Sequence, residues 1–189
     1  MEGIGKRKKL IDGDKLVLLG AIVVVFILFT FLNRNFMTIT NIINLLVAAS
    51  LVGLVAIGHT YLIIAGQNDL SSGSLAALSG VVAALLVSKG MNFGLSIIIT
   101  IVVATMVGAF NAWMVNKIKL EAFIATLVTQ SVVRGFAYII CGGKPVAINN
   151  PNFITLGKVR FLHIPLSVWI MIIAMIIFGF ILAKTRFGR

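Results

Sequence analysis

The sequence predicts an all-α, polytopic integral membrane protein with about six transmembrane helices. Three observations carry that prediction. Sixty per cent of the 189 residues are hydrophobic and only 11 % are charged. Mean hydropathy is +1.12. Apolar runs of membrane-spanning length recur along the whole chain. A soluble domain is about a quarter charged, and a globule this small could not hide so much apolar surface. A bilayer core needs about 20 apolar residues as a helix. These runs are too long and continuous for barrel strands, and lipid admits only helices or closed barrels. The same composition excludes disorder. A single cysteine, Cys141, excludes a disulfide-stapled scaffold.

The first span, Leu16–Leu32, is uncharged and follows Lys6-Arg7-Lys8-Lys9 and Lys15. Asn33-Arg34-Asn35-Phe36 follows it with no small-residue cleavage site, so it reads as an uncleaved anchor and residues 1–15 as a basic cytoplasmic tail. The second apolar region runs from Asn41 to Gly66, long for one straight helix. The third span covers Asp69–Ser88, the fourth Phe93–Val115, the fifth Ala122–Ile140 and the sixth Pro165–Ala183. A polar connection, Cys141–His163, joins the last two. The chain reads as a single transmembrane domain over residues 1–189.

The net charge of +11 sits mostly between spans, not along one helical face. That placement reads as membrane orientation and not as a nucleic-acid surface. With the N-terminus inside, Lys6, Arg7, Lys8, Lys9, Lys15, Lys117, Lys119, Lys184, Arg186 and Arg189 lie in the cytoplasm. Arg34, Lys89, Lys144, Lys158 and Arg160 lie outside, and Arg134 falls within a span. Positive residues favour the cytoplasmic side, so N-in and C-in is the expected orientation.

Small residues recur every four positions in two spans. Ser72, Ala76, Gly80, Ala84 and Ser88 mark the third; Ser96, Thr100, Ala104, Gly108 and Ala112 mark the fourth. Residues four apart share a helix face, and small side chains let membrane helices approach closely. The expectation is a helix hairpin packed through Gly80, Ala84, Ala104 and Gly108.

No catalytic constellation is visible. His59 and His163 lack metal-ligand spacing, Cys141 has no evident activating partner, and no nucleophile elbow or phosphate loop is present. The expectation is no catalytic group, no metal site and no cofactor on this chain. The most unusual stretch is Gly66-Gln67-Asn68-Asp69-Leu70-Ser71-Ser72-Gly73-Ser74, a polar break directly between two apolar runs. One reading is a tight cytoplasmic turn, with Asp69 as N-cap of the third helix. The other is a break inside the membrane, with the second helix ending early near Gly58 and the polar residues lining a cavity. Candidate solute-path residues are Gln67, Asn68, Asp69, Ser71, Ser72, Ser74 and Arg134. Arg134 reads either as a snorkelling anchor or as a buried cation, with Glu121 and Asp69 as candidate partners. For His59 the default is a polar group satisfied between packed helices.

Three ordered motifs resemble one family. Ala56-Ile57-Gly58-His59-Thr60 through Asp69-Leu70-Ser71-Ser72-Gly73-Ser74-Leu75 resembles the Gly-Gly-Ile-Asp-Leu-Ser-Val-Gly-Ser signature of ribose/xylose/arabinose-type ABC sugar permeases. Ala122-Phe123-Ile124-Ala125-Thr126-Leu127 follows, with Arg134-Gly135 and Gly143-Lys144-Pro145-Val146, and then Thr185-Arg186-Phe187-Gly188-Arg189. Gln67 and Asn68 depart from a glycine and an apolar residue, Ser72 from a usual valine, and His59 from a frequent methionine. Glu121 stands where a basic, polar or proline residue is more usual.

The resemblance implies an inner-membrane subunit of a binding-protein-dependent importer for a monosaccharide such as ribose. Its implied partners are a second permease subunit, a cytoplasmic ABC ATPase that binds ATP-Mg, and a periplasmic sugar-binding protein. Family members continue past the last motif into a cytoplasmic segment and further helices, so the chain is expected to correspond to the N-terminal half of a permease. The alternatives are a nucleoside or amino-acid ABC permease, or a non-transporting membrane fragment.

Overall fold

The computed structural model describes residues 13–186 and residue 188. Its elements are α1 (Gly13–Leu32), α2 (Ile39–Ile64), α3 (Ser72–Ser88), α4 (Phe93–Asn116), α5 (Ala122–Cys141), α6 (Pro151–Lys158), β1 (Arg160–Phe161), β2 (Ile164–Pro165) and α7 (Leu166–Lys184). Among the described residues, α1, α2, α4, α5 and α7 are long and apolar enough to cross a membrane, while α3 is a shorter apolar helix. The basic cluster Lys6–Lys9 of the expected tail lies outside the described residues. So do Phe187 and Arg189 of the terminal motif. Helix α1 begins at Gly13, so Lys15 is already helical.

The described residues up to Leu46 and those from Val47 onward form two compact units. In the first, Phe36 meets Phe26 edge-on at 5.0 Å and stacks on Phe29 at 5.6 Å. The Asn35 N–H donates to Asn33 Oδ1, and Asn41 Nδ2 donates to the Phe36 carbonyl at 2.8 Å. These local bonds turn the chain after α1. The large apolar side chains of α1 are exposed along its length, as lipid permits.

In the second unit α3 is central and packs on both α4 and α5. Leu78, Val133 and Ala137 form its apolar core, flanked by Val81, Val82, Val103 and Val107. The largest of the fully buried side chains, however, are serines: Ser50, Ser71, Ser74 and Ser96. Lipid is as apolar as leucine, so nothing drives large apolar groups inward. Small polar groups, which lipid cannot satisfy, go inside instead.

Helix α2 continues unbroken through Gly58 to Ile64. The reading in which the second helix ends near Gly58 is therefore corrected. The stop is Gly66, whose φ of +70° costs a glycine little. Its N–H donates to the Ile63 carbonyl and the Gln67 N–H to that of Leu62, the paired bonds of a Schellman end. Gly90 ends α3 in the same way, with Met91 N–H reaching Leu86.

The small-residue seam is also corrected. Gly80 and Gly108 are exposed, and a Cβ at either would meet nothing within 4 Å. Ala84 is buried and Ala104 half-buried. Ser74 and Leu78 are buried on the side of α3 away from Gly80, whereas Ala84 and Val87, nearer its end, are buried close to the Gly80 side. The close approach in this unit occurs elsewhere: a Cβ at Gly53 would collide with Met171 Sδ of α7.

The connection after α5 is more structured than its polarity suggests. Pro151 opens α6, and β1 pairs antiparallel with β2 through Arg160↔Pro165 and Phe161↔Ile164. The Trp169 indole N–H donates to the Phe161 carbonyl at 3.1 Å and its ring meets that of Phe161 edge-on.

Candidate functional site

The polar break lies between the end of α2 and the start of α3, against α4 and α5. Its backbone cannot bond in a helical pattern, so neighbouring side chains must supply partners. Thr126 Oγ1 accepts from the Leu70 N–H at 3.2 Å. Asp69 Oδ1 accepts from the Ser71 N–H at 2.7 Å and from the Ser71 hydroxyl at 2.6 Å. This is an Asx turn, and it corrects the expectation that Asp69 caps α3. The N-cap position belongs to Ser71, which makes no side-chain cap bond. By contrast, Asn92 caps α4 through bonds from Gly94 and Leu95.

From Ser71 a polar relay crosses the unit. Asn111 Nδ2 on α4 donates to Ser71 Oγ at 3.0 Å, and Thr129 Oγ1 on α5 donates to Asn111 Oδ1 at 2.6 Å. Ser71, Asn111 and Thr129 are all buried. Asn111 precedes the end of α4 by five residues and Thr129 follows the start of α5 by seven. At 1.5 Å per residue, the relay lies about 8–10 Å inside those helix ends. Helix α3 is short because it starts at that depth.

Two cavities flank the break. One, of about 480 Å³, is lined by Gln67, Asn68, Asp69, Asn111, Asn116 and Thr126 among others. The second, of about 350 Å³, is lined by His59, Asp69, Ser72, Ser79 and Ala104 among others. Asp69 lines both. His59 Nε2 and Ser72 Oγ share a hydrogen bond at 2.9 Å, joining α2 to α3 across the second cavity.

The structure thus brings together Gln67, Asn68, Asp69, Ser71 and Ser72. Ser74 is buried nearby on α3, and its hydroxyl has no partner among the described residues. Arg134 stands apart. It is exposed on α5 and pairs with neither Asp69 nor Glu121. Sequence reasoning missed Asn111, Thr126 and Thr129. Their signal was present: Asn111 is a lone amide in a long apolar run, and Thr126, Thr129, Val133 and Ala137 share one helix face. Among the described residues, no three His, Cys, Asp or Glu side chains gather as a metal site.

Membrane-length helices around a buried polar break define a multi-pass helical membrane protein with a polar site between its helices. The family described as "Branched-chain amino acid transport system / permease component" matches residues 41–189, and the chain belongs to it. That is a family of transporter permeases, not of enzymes. The chain is 34% identical over 173 residues to the ribose import permease protein RbsC of Haemophilus influenzae, covering 89% of this chain and 54% of that one. It is 34% identical over 176 residues to the L-arabinose transport system permease protein AraH of Escherichia coli, covering 93% and 54%. With RbsC of Bacillus subtilis it shares 36% identity over 173 residues, covering 90% and 53%. The chain therefore spans about half the length of the curated relatives it matches. No solved structure matches it.

Proposed function

We propose that this chain forms part of the translocation path of a binding-protein-dependent ABC importer for a monosaccharide, in the pentose class. The observation that carries the reading is the Asp69 turn, packed beside Asn111 and Thr129 about 8–10 Å inside the ends of α4 and α5, with a cavity on either side. Irregular backbone at that depth is tolerated where it is buried in protein or lines a polar cavity. A sugar offers only hydroxyls, ring oxygens and faintly apolar faces. Gln67, Asn68, Ser72 and His59 offer hydrogen-bonding groups around the single carboxylate of Asp69. Passage calls for weak contacts, and no bond in the solute is made or broken.

In this reading the chain lies in the bacterial inner membrane with its N-terminus in the cytoplasm. It works with a second permease subunit, a periplasmic sugar-binding protein and a cytoplasmic ATPase that binds and hydrolyses ATP-Mg. Coupling requires a two-state element that both the solute and the nucleotide bias, and the polar break is placed to be the solute's end of it. The family description names branched-chain amino acids, whereas the relatives' names are ribose and arabinose permeases. A site without an exposed cation for a carboxylate favours the sugar.

The test is uptake of labelled ribose, arabinose, leucine and uridine by the assembled transporter, in cells lacking their own carriers for each. Pentose uptake that needs ATP is expected. Leucine or uridine uptake without pentose uptake would overturn the sugar reading.

A further inference from the structure

We infer that Asn111 is the positioning residue of the polar break, fixing the Gln67–Ser72 turn between its two cavities. The inference rests on the permease reading above and names the group that holds that site in register. Donor and acceptor capacity at this position call for a side chain that both donates and accepts. The Ser71 hydroxyl spends its one hydrogen on Asp69 Oδ1, so its partner on α4 must donate. The Thr129 hydroxyl donates toward α4, so that same residue must also accept. An asparagine does both at once. An ionised aspartate only accepts, and a lysine only donates. The result is a one-directional chain from Thr129 through Asn111 and Ser71 to the Asp69 carboxylate.

The chain joins three elements, and the Leu70 N–H to Thr126 bond is a second polar link from the break to α5. Thr129 belongs to α5, Asn111 to α4, and Ser71 opens α3. The turn itself carries exposed Gln67 and Asn68 and half-buried Asp69. Its own backbone bonds to the rest of the unit are few: Leu70 to Thr126, and Gly66 and Gln67 back to α2. Without Asn111, Ser71 and Asp69 still bond each other. That bond is local and holds the turn's shape, and Leu70 still reaches Thr126 on α5, but nothing then ties the turn to α4.

Two variants separate positioning from packing. Asn111→Leu removes the amide and leaves Thr129 unpaired. Asn111→Leu with Thr129→Val removes both ends of that bond, a replacement that leaves no orphaned buried group between α4 and α5. Both are measured in the full permease assembled with its ATPase and binding protein. Hydrogen exchange reports order residue by residue without any solute, and labelled-pentose uptake reports transport.

Amide exchange in residues 67–74 should rise about tenfold in both variants, as loss of one buried hydrogen bond implies. In the double variant the protection of α4 and α5 should return to the reference level, while exchange at 67–74 stays fast and maximal uptake stays several-fold low. Recovery of 67–74 protection or of uptake in the double variant would make Asn111 a packing residue only and overturn the inference. Should the reference transporter carry no pentose at all, the transport reading fails, and with it the positioning role for transport, whatever the exchange pattern shows of the relay.

Discussion

Asn111 on α4 donates to the Ser71 hydroxyl at 3.0 Å across 40 residues of sequence. This one bond ties the start of α3 to a point about 8 Å inside the end of α4. It explains why α3 is shorter than its neighbours and why a polar turn is tolerated at that depth.

Ser71 and Ser50 are both fully buried, yet they differ in what they hold. Ser50 Oγ donates to the Val47 carbonyl of its own helix, a bond that α2 does not need. Ser71 stands between Asp69 and Asn111. Ser71→Ala leaves the buried Asn111 N–H without a partner, while Asp69 keeps only the Ser71 backbone N–H, at a cost of about 1–3 kcal/mol. Thermal unfolding in detergent should show a clear loss for Ser71→Ala and almost none for Ser50→Ala. Equal losses would refute the relay's role in stability.

The Asx turn gives Asp69 a role that an amide can also fill. Asp69→Asn keeps an oxygen to accept from the Ser71 N–H and hydroxyl, whereas Asp69→Ala keeps none. Uptake at matched membrane abundance should survive largely in Asp69→Asn and fall in Asp69→Ala. Equal loss in the two would mean that the negative charge itself acts on the solute or its coupling.

Room for an added methyl group is expected to matter at Gly53, where the Met171 side chain reaches across, and not at Gly80 or Gly108. Gly53→Ala pushes a methyl group into Met171, and overpacking costs about 1–3 kcal/mol. Folded yield should drop for Gly53→Ala, recover when Met171→Ala is added, and remain near reference for Gly80→Ala. A drop for Gly80→Ala with Gly53→Ala tolerated would reverse this assignment.

The proposed N-in, C-in orientation rests on where the basic residues sit. With Cys141→Ser as background, Asn149→Cys should react with an impermeant thiol reagent in intact cells. Reaction only after lysis would place the 141–163 connection in the cytoplasm and invert the topology.

The helices and their order were legible because apolar runs punctuated by glycine, asparagine and basic residues map directly onto spans. Gly66 and Gly90 show this, each standing where its helix stops. The polar break was legible too, since Gln67–Ser74 interrupts two apolar runs. Its partners were not. Burial in a membrane protein does not follow hydrophobicity, so a serine or threonine gives no sign of facing inward. The four-residue spacing of small residues marked a face of α3 but could not say that α5 would compete with α4 for it. Arg134 drew notice as a lone charge, yet its neighbours Val133 and Ala137 take the buried face and leave it outside. The α6 segment and the β1–β2 hairpin were hidden because short elements carry too few residues to show a period.

The central claim is that the polar break lines the solute's path. Asn68 is exposed on the cavity shared with Asn111 and Thr126, so Asn68→Cys in the Cys141→Ser background offers a single reactive thiol there. Labelled-pentose uptake by the assembled transporter is measured before and after complete modification with a bulky thiol reagent. The account expects near-reference uptake before modification and its loss afterwards. Uptake unchanged by complete modification would contradict it.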